Sequence, residues 1–385
     1  MASPRRVIVL GAGIGGTTVA RRLRRALPST HRVVLVEREA QLLYQPSLLW
    51  LASGRRERAA IERPLRRQQR SGIEVVQGAV ERIDPVARTV QVAGRELAGD
   101  YLVIALGAEQ APEAVPGLAA AGYNFYLPDG AEALRDAVAD LASGRLAVLI
   151  AALPFKCPAA PYEMALLLDD GLRRRGRRGP VALDLYSPEP GPMPVAGPAV
   201  SAQVRALVEA QQIAYHPEHA AVRVDPQARR IEFAGGATAA YDLLAYVPPH
   251  RAPEVVVAAG LTNESGWIPV DRATLETRFA GVFALGDVTT IPLAHGKPLP
   301  KAGVFAHAQA EAVASQLLQR IRGRGAASRF DGHGGCFVET GGGRAGFGSG
   351  NFYAEPAPQV RLQPPSRWQQ LRKLLLEKYW LGFRW

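Results

Sequence analysis

The sequence predicts an α/β fold: two Rossmann-like units followed by a C-terminal region that carries an amphipathic helix. Three observations lead there. RVIVLGAGIGGTTVARRL reads as a strand, a glycine turn and a helix. RLAVLIAAL and VALDLYS enclose a loop and the helical stretch MALLLDDGLRRRG, which makes a second strand–helix–strand unit. The end of the chain, SRWQQLRKLLLEKYWLGFRW, spaces its apolar residues at helical intervals.

The first unit has the pattern of a dinucleotide site. Gly11, Gly13 and Gly16 fit G-x-G-x-x-G, and the next strand, VVLVE, ends in Glu37, where a ribose-binding carboxylate belongs. Gly11 permits the turn, Gly13 lets amides approach a pyrophosphate, and Gly16 lets the helix pack on the strand. The helix N-terminus then faces the phosphates. DYLVIALGA (Asp100–Ala108) is a buried strand that ends in the turn at Gly107. TRFAGVFALGDVTTI returns to the first unit late in the chain, and its Gly286–Asp287 pair suits a flavin enzyme, with Asp287 at the ribityl–phosphate end of FAD. The expected division is 1–114 with 271–322 for the FAD unit, 115–270 for the second unit, and 323–385 for the C-terminal region. The glycine- and aromatic-rich stretch GGCFVETGGGRAGFGSGNFY predicts packed hairpins.

Composition sets the outer bounds. At 385 residues, with 48% hydrophobic and 21% charged, the chain builds substantial folded cores. The net charge of +11 comes from arginine runs such as Arg21–Arg25, Arg55–Arg58 and Arg173–Arg178. These read as solvated helix faces or as attraction to an anionic surface, with lipid ranked above nucleic acid because no nucleic-acid motif accompanies them. The four-residue apolar run before the first glycine is too short for a signal peptide, and no apolar stretch of 18 residues exists to span a bilayer. His295, His307 and His333 lack metal spacing, so no metal is expected.

The second unit departs from a nucleotide site at PFKCPAAPYE (Pro154–Glu163). Three prolines stand where a phosphate loop needs glycines and free amides, and the following strand closes on Tyr186 and Ser187 without a carboxylate. This argues against a nicotinamide donor. A thiol near a helix start, beside Lys156, is expected to have a lowered pKa, making Cys157 a candidate nucleophile or redox thiol. Cys336 is the only other cysteine, and spacing does not decide whether the two meet.

At these residues the chain resembles the sulfide:quinone oxidoreductase family, related to the flavoprotein subunit of flavocytochrome c sulfide dehydrogenase. GAGIGG, Gln45-Pro46-Ser47, DYLVIALGA, PFKCPAAPYE, GWIPVD, VFALGD, LPKAGVFAHAQA, Cys336 and LEKYWLGFRW carry the likeness, and the cysteine loop is the most specific. The resemblance implies the two-domain fold of FAD-dependent pyridine nucleotide-disulfide oxidoreductases, with sulfide oxidised by Cys157 and Cys336 and electrons passed to quinone. It makes Glu163 a proton-handling residue, with a helix-start charge the competing role. Lys301 and the amides around Gly303 would face the reduced flavin, and Phe347, Phe352 and Tyr353 would contact quinone. Many members carry a third cysteine ahead of the PFKC loop; AGYNFYLPDG has none, which favours a two-cysteine cycle. The rivals are a type II NADH:quinone oxidoreductase, which predicts a glycine loop at 153–160, a cytochrome-coupled subunit, and a non-catalytic flavoprotein scaffold.

The last segment bears on the membrane. Trp368, Leu371, Leu375 and Tyr379 share a helix face widened by Leu374, five basic residues accompany one acidic residue, and Trp368, Trp380 and Trp385 suit a headgroup layer. The expected location is peripheral, on the cytoplasmic face of the cell membrane. The expected partners are sulfide, quinone and the bilayer surface, without nucleic acid, and with homo-oligomer formation possible.

Overall fold

The computed structural model describes residues 3–385. Its first parallel sheet runs in the order Val282–Ala284, Tyr101–Ile104, Arg6–Leu10, Arg32–Glu37 and Glu74–Gln77. The strands are near-continuous apolar runs because helices or a second layer cover both faces. Ile8, Leu10, Leu35 and Ile104 are fully buried. The Ile14–Ala26 helix packs against Gly303–Arg322, so the late segment rejoins the first unit through both a strand and a helix.

A second parallel sheet takes the order Tyr123–Asn124, Leu243–Val247, Gly144–Ile150, Val181–Tyr186 and Ala214–His216. The Ala160–Arg174 helix starts where the prolines of the cysteine loop permit and buries Met164, Leu167 and Leu168. Burying such a side chain contributes about 1.5–3 kcal/mol.

The expected hairpins form one antiparallel sheet of His333–Gly341, Arg344–Asn351 and Gln359–Ser366. Its first strand lies against both the Ala160–Arg174 and Gly303–Arg322 helices, one from each parallel-sheet unit. A Cβ at Gly334 would come within 2.3 Å of the Phe305 ring, so glycine is what allows this approach.

The C-terminal helix, Arg367–Tyr379, is capped by the Ser366 side chain, which accepts from the Gln369 amide at 3.2 Å. It is amphipathic in the inverted sense. Gln369, Gln370, Lys373 and Glu377 point inward, while Trp368 (63% exposed), Leu375 (55%) and Phe383 (71%) face out. Leu371 and Tyr379 join that outer stripe, whereas Leu374 packs against the core. Two of the three tryptophans assigned to a headgroup layer are buried. Trp380 stacks on Tyr44 at 6.4 Å and Trp385 meets the same ring edge-on at 5.9 Å. Two indoles around one tyrosine remove more apolar surface from water than a surface position could, so only Trp368 is free. No helix among the described residues is long and apolar enough to cross a membrane.

Candidate active site

The dinucleotide turn is built as its glycines require. Gly11 has φ +92°, and a Cβ there would sit 2.4 Å from the Ala105 carbonyl oxygen. A Cβ on Gly16 would be 1.9 Å from the Gly11 carbonyl. Gly13 and Gly107, by contrast, face open space, as amides that approach a ligand must. Glu37 holds the turn from the neighbouring strand: its carboxylate accepts from the Ala12 amide at 2.7 Å and from the Glu39 amide at 3.0 Å.

Asp287 is the other half of the cradle. Its Oδ1 is buried with no partner, which fits a carboxylate waiting for a ribityl hydroxyl, and burial pushes its carboxyl up. Gly286 is fixed beside it by the buried Gln309 side chain, which accepts its amide at 2.7 Å. Lys301 is buried. Its ammonium donates to the Asp287 and Thr289 carbonyls at 2.7 and 3.0 Å, and lies 3.3 Å from the Trp267 ring centre. Burial lowers it to about 7. The Gly303–Arg322 helix begins two residues later, its first amides free of helical partners. These residues fit FAD.

The cysteine loop is stitched to this cradle. The Cys157 amide donates to the Lys301 carbonyl at 2.6 Å, and the Cys157 carbonyl accepts from Ala160 at 2.9 Å. Cys157 holds a φ of +55°, a conformation that costs a non-glycine residue energy and recurs at functional sites. Its side chain meets Cys336 from the first hairpin strand, and the two sulfurs lie within hydrogen-bonding reach. Both are half-buried.

The charge assignment differs from the sequence expectation. A helix start and Lys156 were to lower the Cys157 pKa, yet its thiol is pushed up, first by its contact with Cys336 and then by burial. Cys336 is the one held down, first by the same contact. Lys156 is buried toward the Tyr126 ring, Asp287 and Cys157, and burial lowers its own pKa.

Behind the sulfurs lies a buried ion network that no sequence motif announced. Glu163 accepts from the Lys373 ammonium, and its other oxygen accepts from the Glu339 amide at 3.2 Å. Lys373 also donates to Glu339 at 3.0 Å. Glu339 further accepts from Trp50 Nε1 at 2.7 Å and from Arg55, which reaches Asp170 at 2.5 Å. Burial pushes Glu163 up, whereas Lys373 and Arg55 hold Glu339 down against the same burial. Glu163 is thus neither a cap nor solvated. Nearby, Arg56 grips Glu377 through Nε and Nη2, with Ser47 donating to the same carboxylate at 2.7 Å. Arg55 and Arg56 therefore point inward from a run that read as solvated or membrane-seeking. The only signal for these partners was the inward polar face of the last helix, which its outward stripe masked.

The proposed quinone aromatics separate. Phe347 lies on the hairpin sheet beside the register pair Cys336–Gly348, 4.8 Å from Phe337, with the Arg372 guanidinium over it at 4.7 Å. Phe352 is buried edge-on to Phe305 at 5.0 Å. Tyr353 donates to the Arg272 carbonyl at 2.8 Å and packs on Phe330. The last two are held by packing around the hairpin's far end, so the structure sets them apart from Phe347.

At the carboxyl end of the second sheet, aromatic side chains pack on one another. Tyr186 stacks on His216 at 4.4 Å and on Phe233 at 5.1 Å, while His219 closes on Phe233 at 4.8 Å. The turn amides are satisfied internally, Ser187 accepting from His219 and Glu189. Glu189 is buried there with the Tyr162 hydroxyl 3.0 Å away, and burial raises it to about 7. Among the described residues no group of three or more His, Cys, Asp or Glu is placed to hold a metal.

Residues 5–149 match the family described as pyridine nucleotide-disulphide oxidoreductase. The fold and cradle define a flavin-dependent oxidoreductase of that class, with FAD as its cofactor. Mouse (Mus musculus) mitochondrial sulfide:quinone oxidoreductase is 25% identical over 364 residues, covering 91% of this chain and 79% of that protein. The sulfide-quinone reductase of Aquifex aeolicus is 28% identical over 398 residues, covering 97% and 90%. The X-ray structure of the Aquifex aeolicus sulfide:quinone oxidoreductase superposes with a TM-score of 0.89 at 26% identity, over 99% of this chain and 91% of that one. Over nearly its whole length the chain is similar to sulfide:quinone oxidoreductases.

Proposed function

We propose that the protein oxidises sulfide to sulfane sulfur through a Cys157–Cys336 disulfide and passes the electrons to a quinone at a membrane surface. The meeting of the chain's two cysteines beside the FAD cradle carries this reading. FAD, when bound, accepts the electron pair from the sulfur centre and releases it to quinone. The protein's own groups do the rest. Hydrosulfide attacks one sulfur of the disulfide, which leaves a persulfide on that cysteine and a thiolate on the other. Cys336 is better suited to stay a thiolate, since its contact with Cys157 holds its thiol down. Glu163, raised by burial, takes and returns the proton of the incoming hydrosulfide. The proline-rich cysteine loop argues against the NADH-dependent alternative.

The outer face of the last helix supports membrane association. Trp368, Leu371, Leu375, Leu376, Tyr379 and Phe383 are exposed together, with Arg367 and Lys378 on the same segment, and the inward ion pairs hold this face out. A bilayer-dissolved acceptor requires such a surface, and Phe347 under Arg372 is the aromatic best placed for it.

Anaerobic sulfide titration tests the reading. Wild-type enzyme loses its oxidised flavin absorbance and recovers it with decylubiquinone. Cys157→Ala and Cys336→Ala keep the oxidised spectrum at the same sulfide. If both variants bleach as fast as wild type, the disulfide route is wrong.

A further inference from the structure

We propose that Lys373 is the positioning residue of the cysteine pair: one ammonium ion binds a carboxylate from each cysteine-bearing element and supplies the positive charge that holds a thiolate between them. The proposal rests on the sulfur chemistry above. Glu163 stands six residues after Cys157, in the first turn of the Ala160–Arg174 helix. Glu339 stands three residues after Cys336 on the hairpin strand. Lys373 reaches both from the C-terminal helix, and the Glu339 amide closes the triangle on Glu163. The lysine thus ties the two cysteine-bearing elements together, alongside the Glu339 amide and Arg55, which bridges Glu339 to Asp170 of the same helix as Glu163.

A buried charge cluster is a poor way to buy stability. Replacing such ions by apolar residues of similar volume is often neutral or stabilising. Lys373, Glu163 and Glu339 are each at least nine-tenths buried, and Lys373 stands on a helix whose apolar face is turned outward. The arrangement gains its sense from what it faces. Lys373 favours the anion at both sulfurs, and Glu163 opposes it at both. The other charged or titratable neighbours are Tyr44 and Tyr126, which face both cysteines, Lys156, which faces Cys157, and Arg55, which shares Glu339 and reaches Asp170. The same lysine belongs to the helix that presents the membrane-facing stripe, so the sulfur centre and that surface share one anchor.

The test is the pH dependence of alkylation at Cys336 in the phosphine-reduced holoenzyme, read by peptide mass spectrometry, with flavin content and melting recorded for each variant. Lys373→Met moves the Cys336 midpoint up by at least about one pH unit, and Lys373→Arg stays near wild type. Glu163→Gln moves it down, because the lysine is then less neutralised. A purely structural role gives no such reversal of sign. If Lys373→Met does not fold, the Glu163→Gln shift decides alone. Profiles of Lys373→Met and Glu163→Gln that superimpose on wild type would overturn the proposal, as would a Lys373→Arg profile shifted like that of the methionine variant. Neither sulfide nor quinone enters the measurement, so its failure is separable from failure of the sulfide titration.

Discussion

The Cys157 and Cys336 side chains meet, although most of the second parallel-sheet unit lies between them in sequence, and their contact pushes the Cys157 thiol up while holding that of Cys336 down. One sulfur is thereby marked as the nucleophile. In the reduced enzyme near neutral pH, iodoacetamide labels Cys336 at least about tenfold faster than Cys157, because the thiolate is the reactive form. Peptide mass spectrometry over a time course reads the ratio. Equal rates would refute the assignment of the lower thiol pKa to Cys336.

Gly16→Ala places a methyl group against the Gly11 carbonyl, at a Cβ distance of 1.9 Å. The turn must shift, and the amides that approach the pyrophosphate shift with it. The variant is expected to purify with less than about a tenth of the wild-type flavin, a loss of roughly 1.4 kcal/mol or more in cofactor binding. The visible-to-ultraviolet absorbance ratio checks it.

Glu377→Ala leaves Arg56 half-buried without its carboxylate and strips Ser47 of its acceptor. Breaking a buried pair from one side costs about 3–5 kcal/mol. The C-terminal helix should become sensitive to trypsin at Lys373 and Lys378 under conditions where wild type resists. Gel electrophoresis of timed digests shows whether cleavage there outpaces unfolding.

Leu375→Glu with Phe383→Glu alters only the outward stripe. Both side chains are more than half exposed, so melting temperature changes little. Co-sedimentation with vesicles containing anionic lipid should fall by about tenfold or more, since two apolar contacts and a favourable charge balance are lost together. Unchanged sedimentation would remove the helix from the membrane contact.

Glu189 makes stability depend on pH. Its folded carboxyl is raised to about 7 from an ordinary 4.5, so the native state binds the proton more tightly than the unfolded chain. Stability from this group is full below about 4.5 and is lost as pH rises through 7. Glu189→Gln should flatten the fall in melting temperature across that window, measured by scanning fluorimetry with flavin content held equal.

Much of this was legible in one dimension. The glycine turn, Glu37 and the late Gly286–Asp287 pair follow from local rules, since a close approach of backbone to phosphate admits few residue types. The proline-rich cysteine loop argued against a nicotinamide nucleotide by the same reasoning. What was not legible was partnership. Arg55 and Arg56 look like any arginine run until Glu339, Asp170 and Glu377 arrive from distant segments. Phe352 and Tyr353 look like Phe347 until packing against Phe305 and Phe330 separates them.

The sequence by itself determined two parallel sheets, the cradle for the cofactor and a helix with one apolar stripe, because periodicity and turn chemistry act over neighbouring residues. Only the tertiary structure decided that the stripe faces outward, that two tryptophans of the last segment close on Tyr44, and that the two cysteines meet. A helical pattern states that one face is apolar without stating what that face will meet. A thiol's charge depends on groups within a few ångströms, and here those groups come from three elements far apart along the chain.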